Sequence, residues 1–154
     1  MELKAEVKIS EDLLRLGERA KDGIEAGLIR AAGAVEAEAV RETPVVSGNL
    51  ADSIRKYVDM VRLRATIGPQ AKYAVFVNQG TGIYGPHKTP IVPTTKKALA
   101  WVSPMRIGNR WISGFMVRRS VKGQKANPFM ARALKKIEPR LGEIFMAGFN
   151  SIVK

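Results

Sequence analysis

The 154-residue chain has no cysteine and one histidine, His87. Without cysteine there is no disulfide framework, no thiolate-held zinc and no thiol nucleophile. A single imidazole excludes the two-histidine zinc motif. No apolar run approaches the ~20 residues of a membrane span. The start, Met1-Glu2-Leu3-Lys4, has no apolar signal core, so the sequence reads as cytosolic at synthesis. The most telling absence is acid: residues 60–137 contain fifteen Lys/Arg and not one Asp or Glu. Residues 1–59, by contrast, hold nine Lys/Arg and twelve Asp/Glu, and the last seventeen residues are neutral. The net charge of +12 is therefore a property of the middle of the chain. Such a block points to nucleic acid or to an acidic protein surface.

The length supports one domain, 1–154, or one domain with an arm. Leu3, Ala5, Val7 and Ile9 alternate with Lys4, Glu6 and Lys8, which fits a short half-exposed strand or the lead-in to a helix. Ser10 can cap a helix, with Glu11 and Asp12 in its first turn. Leu13, Leu16, Ala20, Ile24, Leu28, Ala31, Val35 and Ala39 then recur at helical spacing, giving a helix of roughly 30 residues that ends before Pro44. A break is expected near Gly17–Gly23. Gly27, Ala31 and Ala34 allow a close backbone approach, either from the protein's own sheet or from another subunit.

After a loop around Pro44–Gly48, Ser47 or Asn49 can cap a short turn through Leu50–Ile54. Residues 55–60 and 62–67 read as two strands, the second with Leu63, Ala65 and Ile67 on one face and basic residues on the other. Tyr73–Val77 is a strand or one helical turn. Gln79–Pro90 is a Gly/Pro loop. Residues 97–102 and 111–117 read as a strand pair with a long connection through Pro104, Gly108 and Asn109. Residues 118–125 read as an exposed basic loop. Asn127 caps a final helix with Pro128 in its first position, and Pro139 kinks or restarts it. The expectation is an α+β fold: one antiparallel sheet of about four to five strands, with a long N-terminal helix and a C-terminal helix packed on one face. Flexible loops are expected near 79–90, 103–110 and 118–126.

Catalytic groups are sparse. The basic block offers no carboxylate for a general acid/base pair. Glu36, Glu38 and Glu42 read as a solvated helix face. Asp52 and Asp59 have no metal-ligand spacing, and His87 stands alone in a Gly/Pro loop. Gln79-Gly80-Thr81-Gly82 lacks the Lys-Ser/Thr ending of a phosphate loop. No catalytic residue, cofactor or metal is expected. A sequence-independent nucleic-acid-binding protein using segment 60–137 is the alternative reading; it offers no helix-turn-helix, zinc-finger or RNP-type element.

Three segments carry a family resemblance. They are Pro44-Val45-Val46-Ser47-Gly48-Asn49-Leu50-Ala51-Asp52-Ser53-Ile54, then Tyr73-Ala74-Val75-Phe76-Val77-Asn78-Gln79-Gly80-Thr81, then Asn127-Pro128-Phe129-Met130-Ala131-Arg132-Ala133-Leu134. In that order they resemble a tail-component family of tailed phages and prophages, whose members are minor tail, tail-completion or head–tail joining proteins. The family pattern falls on Pro44, Gly48, Leu50, Ser53, Tyr73, Ala74, Gly80, Thr81, Pro128, Phe129 and Ala133, in fold-maintaining roles. Asn78 stands where the family commonly has an acid.

The resemblance implies a non-enzymatic virion subunit at the head–tail junction or tail end. It would be a homo-oligomeric ring in the particle, with a monomer in solution left open. Its partners would be tail terminator, tube and head-completion proteins. It would be made in the host cytoplasm and end in the virion tail or neck, with no membrane contact. Arg106, Arg110, Arg118, Arg119, Lys122 and Lys125 are the candidate partner or DNA contacts.

Overall fold

The computed structural model describes residues 4–8, 18–45, 48–107 and 110–153. The chain divides into two units, Met1–Asn78 with Asn127–Lys154, and Gln79–Ala126. The expected single domain thus has a second unit inserted in it, and all three expected loops fall in that insertion.

In the first unit, α1 (Glu18–Glu42) buries Ile24, Leu28, Ala31, Ala32, Val35 and Ala39, the stripe set by the three-and-four spacing. No break occurs at Gly23, which lies inside the helix. The expected cap at Ser10 and break at Gly17 lie outside the described residues. β1 (Ala5–Lys8), β2 (Ile54–Asp59) and β3 (Arg64–Pro69) form an antiparallel sheet in the order β1-β3-β2. Ile54 on β2, and Ala65 and Ile67 on β3, are buried and join the α1 residues in one core. Leu63, expected in the strand, instead sits in the preceding turn at φ 48°.

Short helices α2 (Asn49–Asp52) and α3 (Ala74–Gln79) bring Leu50 and Ala74 to that core. Tyr73–Val77 therefore resolves as a helical turn rather than a strand. Asn49 lies inside α2, and Gly48 occupies the cap position at φ 84° with no side-chain cap. Ser47 lies outside the described residues.

α4 (Phe129–Ile137) adds Phe129, Met130 and Ala133 to the core. Pro128 stands one position earlier than expected, at the cap itself, and Asn127 contributes its carbonyl, which accepts from the Phe129 N–H at 2.8 Å, rather than a side-chain cap. Pro139 falls in a single 3-10 turn, Glu138–Arg140, from which α5 (Leu141–Val153) restarts. That is the expected outcome for a residue without an N–H.

The close approach expected on α1 is real, but its partner is α5 and not the sheet. A Cβ on Gly27 would lie 2.7 Å from the Phe145 ring, and one on Gly148 would lie 2.7 Å from the Ala26 carbonyl oxygen. Glycine on both helices permits this spacing.

In the second unit, β4 (Leu99–Ile107) and β5 (Arg110–Arg118) pair antiparallel from Leu99↔Arg118 to Ile107↔Arg110. This corrects two expectations. The strands do not extend the first sheet but form their own two-stranded sheet, because period-two alternation marks a strand without naming its neighbour. Nor is 103–110 a long connection: residues 103–107 and 110 are strand, and only 108 and 109 separate the pair. Pro104 misled the reading. It lacks an N–H, yet an edge strand tolerates that, and both strands of a two-stranded sheet are edges.

Candidate assembly surface

The second unit contains nine Lys/Arg and no Asp/Glu. Its loops are tied to each other by backbone bonds. Thr81 N–H donates to Gln124 O at 2.8 Å, Ile83 N–H donates to Lys122 O at 2.8 Å, and Gln124 N–H donates to Thr81 Oγ1 at 2.9 Å. Ile91 and Val121 exchange two further bonds, at 2.9 and 3.0 Å. This pairing needs glycine where the strands of loop cross. Gly82 and Gly123 both have positive φ, and a Cβ on Gly123 would lie 2.8 Å from Gly82 Cα. The segments read as two independent loops, 79–90 and 118–126, are thus one paired element.

The register places Ala100 and Val102 opposite Val117 and Phe115, so these four residues share one face of the hairpin. That face is open: Val102 is 65% exposed, Phe115 71% and Val117 48%. Large apolar side chains grouped on a surface mark association sites. On the other face, Leu99 and Trp101 border a shallow groove of about 500 Å³ with Ile91 and Val121–Gln124.

The basic candidates lie around this hairpin. Arg110 opens β5 and is exposed; Arg118 closes it, with its Nη1 donating to Val117 O at 3.2 Å. Arg119 and Lys122 are exposed, and Lys125 Nζ sits 5.9 Å from the centre of the Tyr84 ring, a cation–π geometry. Arg106 is on β4; its side chain lies outside the described set. The six share one unit.

The family-motif residues are placed differently. Leu50, Ala74, Phe129 and Ala133 meet in the core of the first unit, although they come from three separate segments. Ser53 Oγ donates to Leu50 O at 2.7 Å and closes α2. Tyr73 is 45% exposed beside buried Ala74. Pro44 follows the end of α1 and Gly48 makes the left-handed turn before α2. Gly80, at φ 79°, and Thr81 open the second unit. Pro128 precedes α4. Asn78, in the place of the family's acid, has a buried Oδ1 with no hydrogen-bond partner.

A second concavity, about 550 Å³, lies on the outer face of the three-stranded sheet, bordered by Arg55, Tyr57, Thr66, Lys72 and Lys4, with no acid among its lining residues. Arg55 Nη1 donates to Ile54 O at 2.8 Å, and Lys56 Nζ donates to Glu36 at 2.6 Å. Among the described residues no group of three or more His, Asp or Glu is placed to hold a metal. None of their helices is long and apolar enough to cross a membrane. His87 is exposed.

The glutamates of α1 are not a merely solvated face. Arg132 Nε donates to Glu42 Oε2 at 2.8 Å, Lys136 Nζ donates to Glu42 Oε1, and Lys136 Nζ lies 3.6 Å from Glu38 Oε1. The hydrogen bond from Lys136, then that from Arg132, holds the Glu42 carboxyl below the usual carboxylate range. The same bond to Glu42 raises the Lys136 ammonium. The available signal was Glu38 and Glu42 at i,i+4, facing Arg132 and Lys136 at i,i+4.

Residues 8–80 match the HK97-gp10-like family, described as "Bacteriophage HK97-gp10, putative tail-component". The match agrees with the tail-component resemblance carried by the motifs. It includes the first of the three segments and the second as far as Gly80; the third lies beyond it. It supports a structural role in a virion, among other tail proteins, and lends nothing to the nucleic-acid alternative. No curated protein and no solved structure matches the chain.

Proposed function

We propose that this chain is a non-enzymatic structural subunit of a phage or prophage particle, acting at the head–tail junction or tail end as a tail-completion or neck protein. The match of residues 8–80 to the tail-component family carries this reading. In it, copies assemble as a ring in the virion after synthesis in the host cytoplasm, and meet tail terminator, tube and head-completion proteins. The first unit supplies the fold of the subunit. The second, with its acid-free charge and open apolar hairpin face, supplies the contact surface, including Arg106, Arg110, Arg118, Arg119, Lys122 and Lys125.

Deletion of the gene in its phage or prophage tests the proposal. Unjoined heads and tails, or incomplete tails, are expected by electron microscopy, and the protein is expected in purified wild-type particles by mass spectrometry. Normal particles after deletion, or absence of the protein from purified virions, overturns it.

A further inference from the structure

A two-stranded sheet with one face open and apolar has reason to acquire a cover. The side chains Val102, Phe115 and Val117 form such a face, and basic residues stand at both ends of β5. A cover must therefore be apolar in part and acidic. This unit has no acid at all, so every acid of the chain lies in the other unit.

One surface there has the complementary character. Asp22, Glu25, Ile29 and Val40 follow at steps of three, four and eleven along α1, which puts them on one helical face. That face is directed away from the core stripe of Ile24, Leu28 and Val35. Ile29 is 44% exposed and Val40 38%, while Asp22 and Glu25 are exposed with no ion-pair partner among the described residues. Gly33 lies on the same face with no Cβ to obstruct an incoming strand, and the nearest atom to one would be Lys56 Nζ at 3.9 Å.

We infer that the Val102–Phe115–Val117 face of one copy docks on the Asp22–Glu25–Ile29 face of α1 in a second copy. Phe115 meets Ile29, and Arg110 and Arg118 approach the two free carboxylates. The two surfaces are different, so the contact is head-to-tail. A head-to-tail contact closes into a ring when the rotation between copies allows it. The inference deepens the assembly-subunit reading and takes its biological sense from it, but the docking is measured on the purified chain alone.

The absence of native cysteine makes the test direct. Full-length Ile29→Cys and Phe115→Cys variants are mixed under mild oxidation. A disulfide-linked mixed dimer is expected in excess over either homodimer. Val61→Cys, at a residue 96% exposed elsewhere on the first unit, serves as the control and should give no excess with Phe115→Cys.

Sedimentation velocity over a concentration series gives the second readout. The double variant Asp22→Arg/Glu25→Arg should self-associate on the order of tenfold more weakly than wild type, as should Arg110→Glu/Arg118→Glu. An equimolar mixture of the two should associate again, because each restores the other's charge partner. Circular dichroism spectra matching wild type confirm that these exposed positions leave the fold intact.

A chain that stays monomeric at every concentration overturns the inference, as does a mixture that fails to re-associate. If it stays monomeric while Phe115→Glu is excluded from particles, the hairpin face belongs to a different virion protein. That result rejects self-docking and leaves the assembly-subunit reading standing. Absence of the wild-type protein from particles is what defeats the latter.

Discussion

Arg132 donates from Nε to Glu42 Oε2 at 2.8 Å, joining the first half of the C-terminal helix α4 to the last turn of α1, ninety residues away in sequence. Lys136, one turn further along α4, reaches the other oxygen of the same carboxylate. The two long-range contacts share one anion, so they titrate together.

That sharing sets a pH dependence with a definite sign. The folded Glu42 pKa lies below its unfolded value, so its contribution is present above the usual carboxylate range and is lost as pH falls through the depressed value. Lys136 has the opposite sense: its contribution is present below the usual lysine range and is lost as pH rises through the raised value. Thermal melts of wild type and Glu42→Gln across pH should therefore differ at neutrality and converge in acid. Equal melting temperatures at neutral pH would show that the pairs, which are partly exposed, contribute nothing.

The crossing of α1 and α5 gives a steric test. A methyl at Gly148 would press on the Ala26 carbonyl oxygen at 2.7 Å and on Gly27 Cα at 2.8 Å, both backbone atoms that cannot turn aside. Gly148→Ala should cost about 1–3 kcal/mol, the usual penalty for overpacking. Gly142→Ala on the same helix meets nothing within 4 Å and should raise stability by up to about 1 kcal/mol. Urea denaturation of the two variants separates close packing from helix propensity.

These contacts also show what was readable in the chain and what was not. The α1 stripe from Ala20 to Ala39, the strands around Ile54–Asp59 and Arg64–Pro69, and the restart at Pro139 all follow local periodicity or a missing N–H, and the structure has them. The partner of Gly27 was not readable, because a small residue announces a close approach without saying what approaches. The separate hairpin was hidden for a similar reason. Val102 and Phe115 alternate like any half-buried strand residues, and only the register reveals that their shared face is open. Glu42 looked solvated when compared with Glu36 and Glu38 alone, since its partners lie in a helix some ninety positions later. The basic surface residues were legible as a charge block, but their gathering in one inserted unit depends on the pairing of 81–83 with 122–124.

Phe129 tests whether the motif at the start of α4 acts through the core. It is fully buried, in one cluster with Leu28, Leu50, Ile67 and Ala74. Phe129→Ala should lower stability by about 3–5 kcal/mol, and Phe129→Leu by less, because leucine refills much of the volume. Chemical denaturation gives both values. A loss under 1 kcal/mol for the alanine variant would mean that the site collapses around the cavity and that the aromatic side chain is not needed for the fold.

The paired loops of the second unit give the last test. Gly123 sits at φ 91°, and a Cβ there would meet the Thr81 carbonyl as well as Gly82 Cα. Gly123→Ala therefore meets two penalties at once, a left-handed backbone and a backbone collision. The outcome expected is loss of the Thr81–Gln124 and Ile83–Lys122 bonds, read as faster amide exchange at Thr81, Ile83 and Gln124. Trypsin should also cut more readily after Lys122 and Lys125. The core of the first unit makes none of these bonds, so exchange at buried α1 amides such as Leu28 and Val35 should be unchanged. Equal acceleration in both places would mean that the two units unfold as one, and that the pairing of the loops is coupled to the core rather than local to the hairpin.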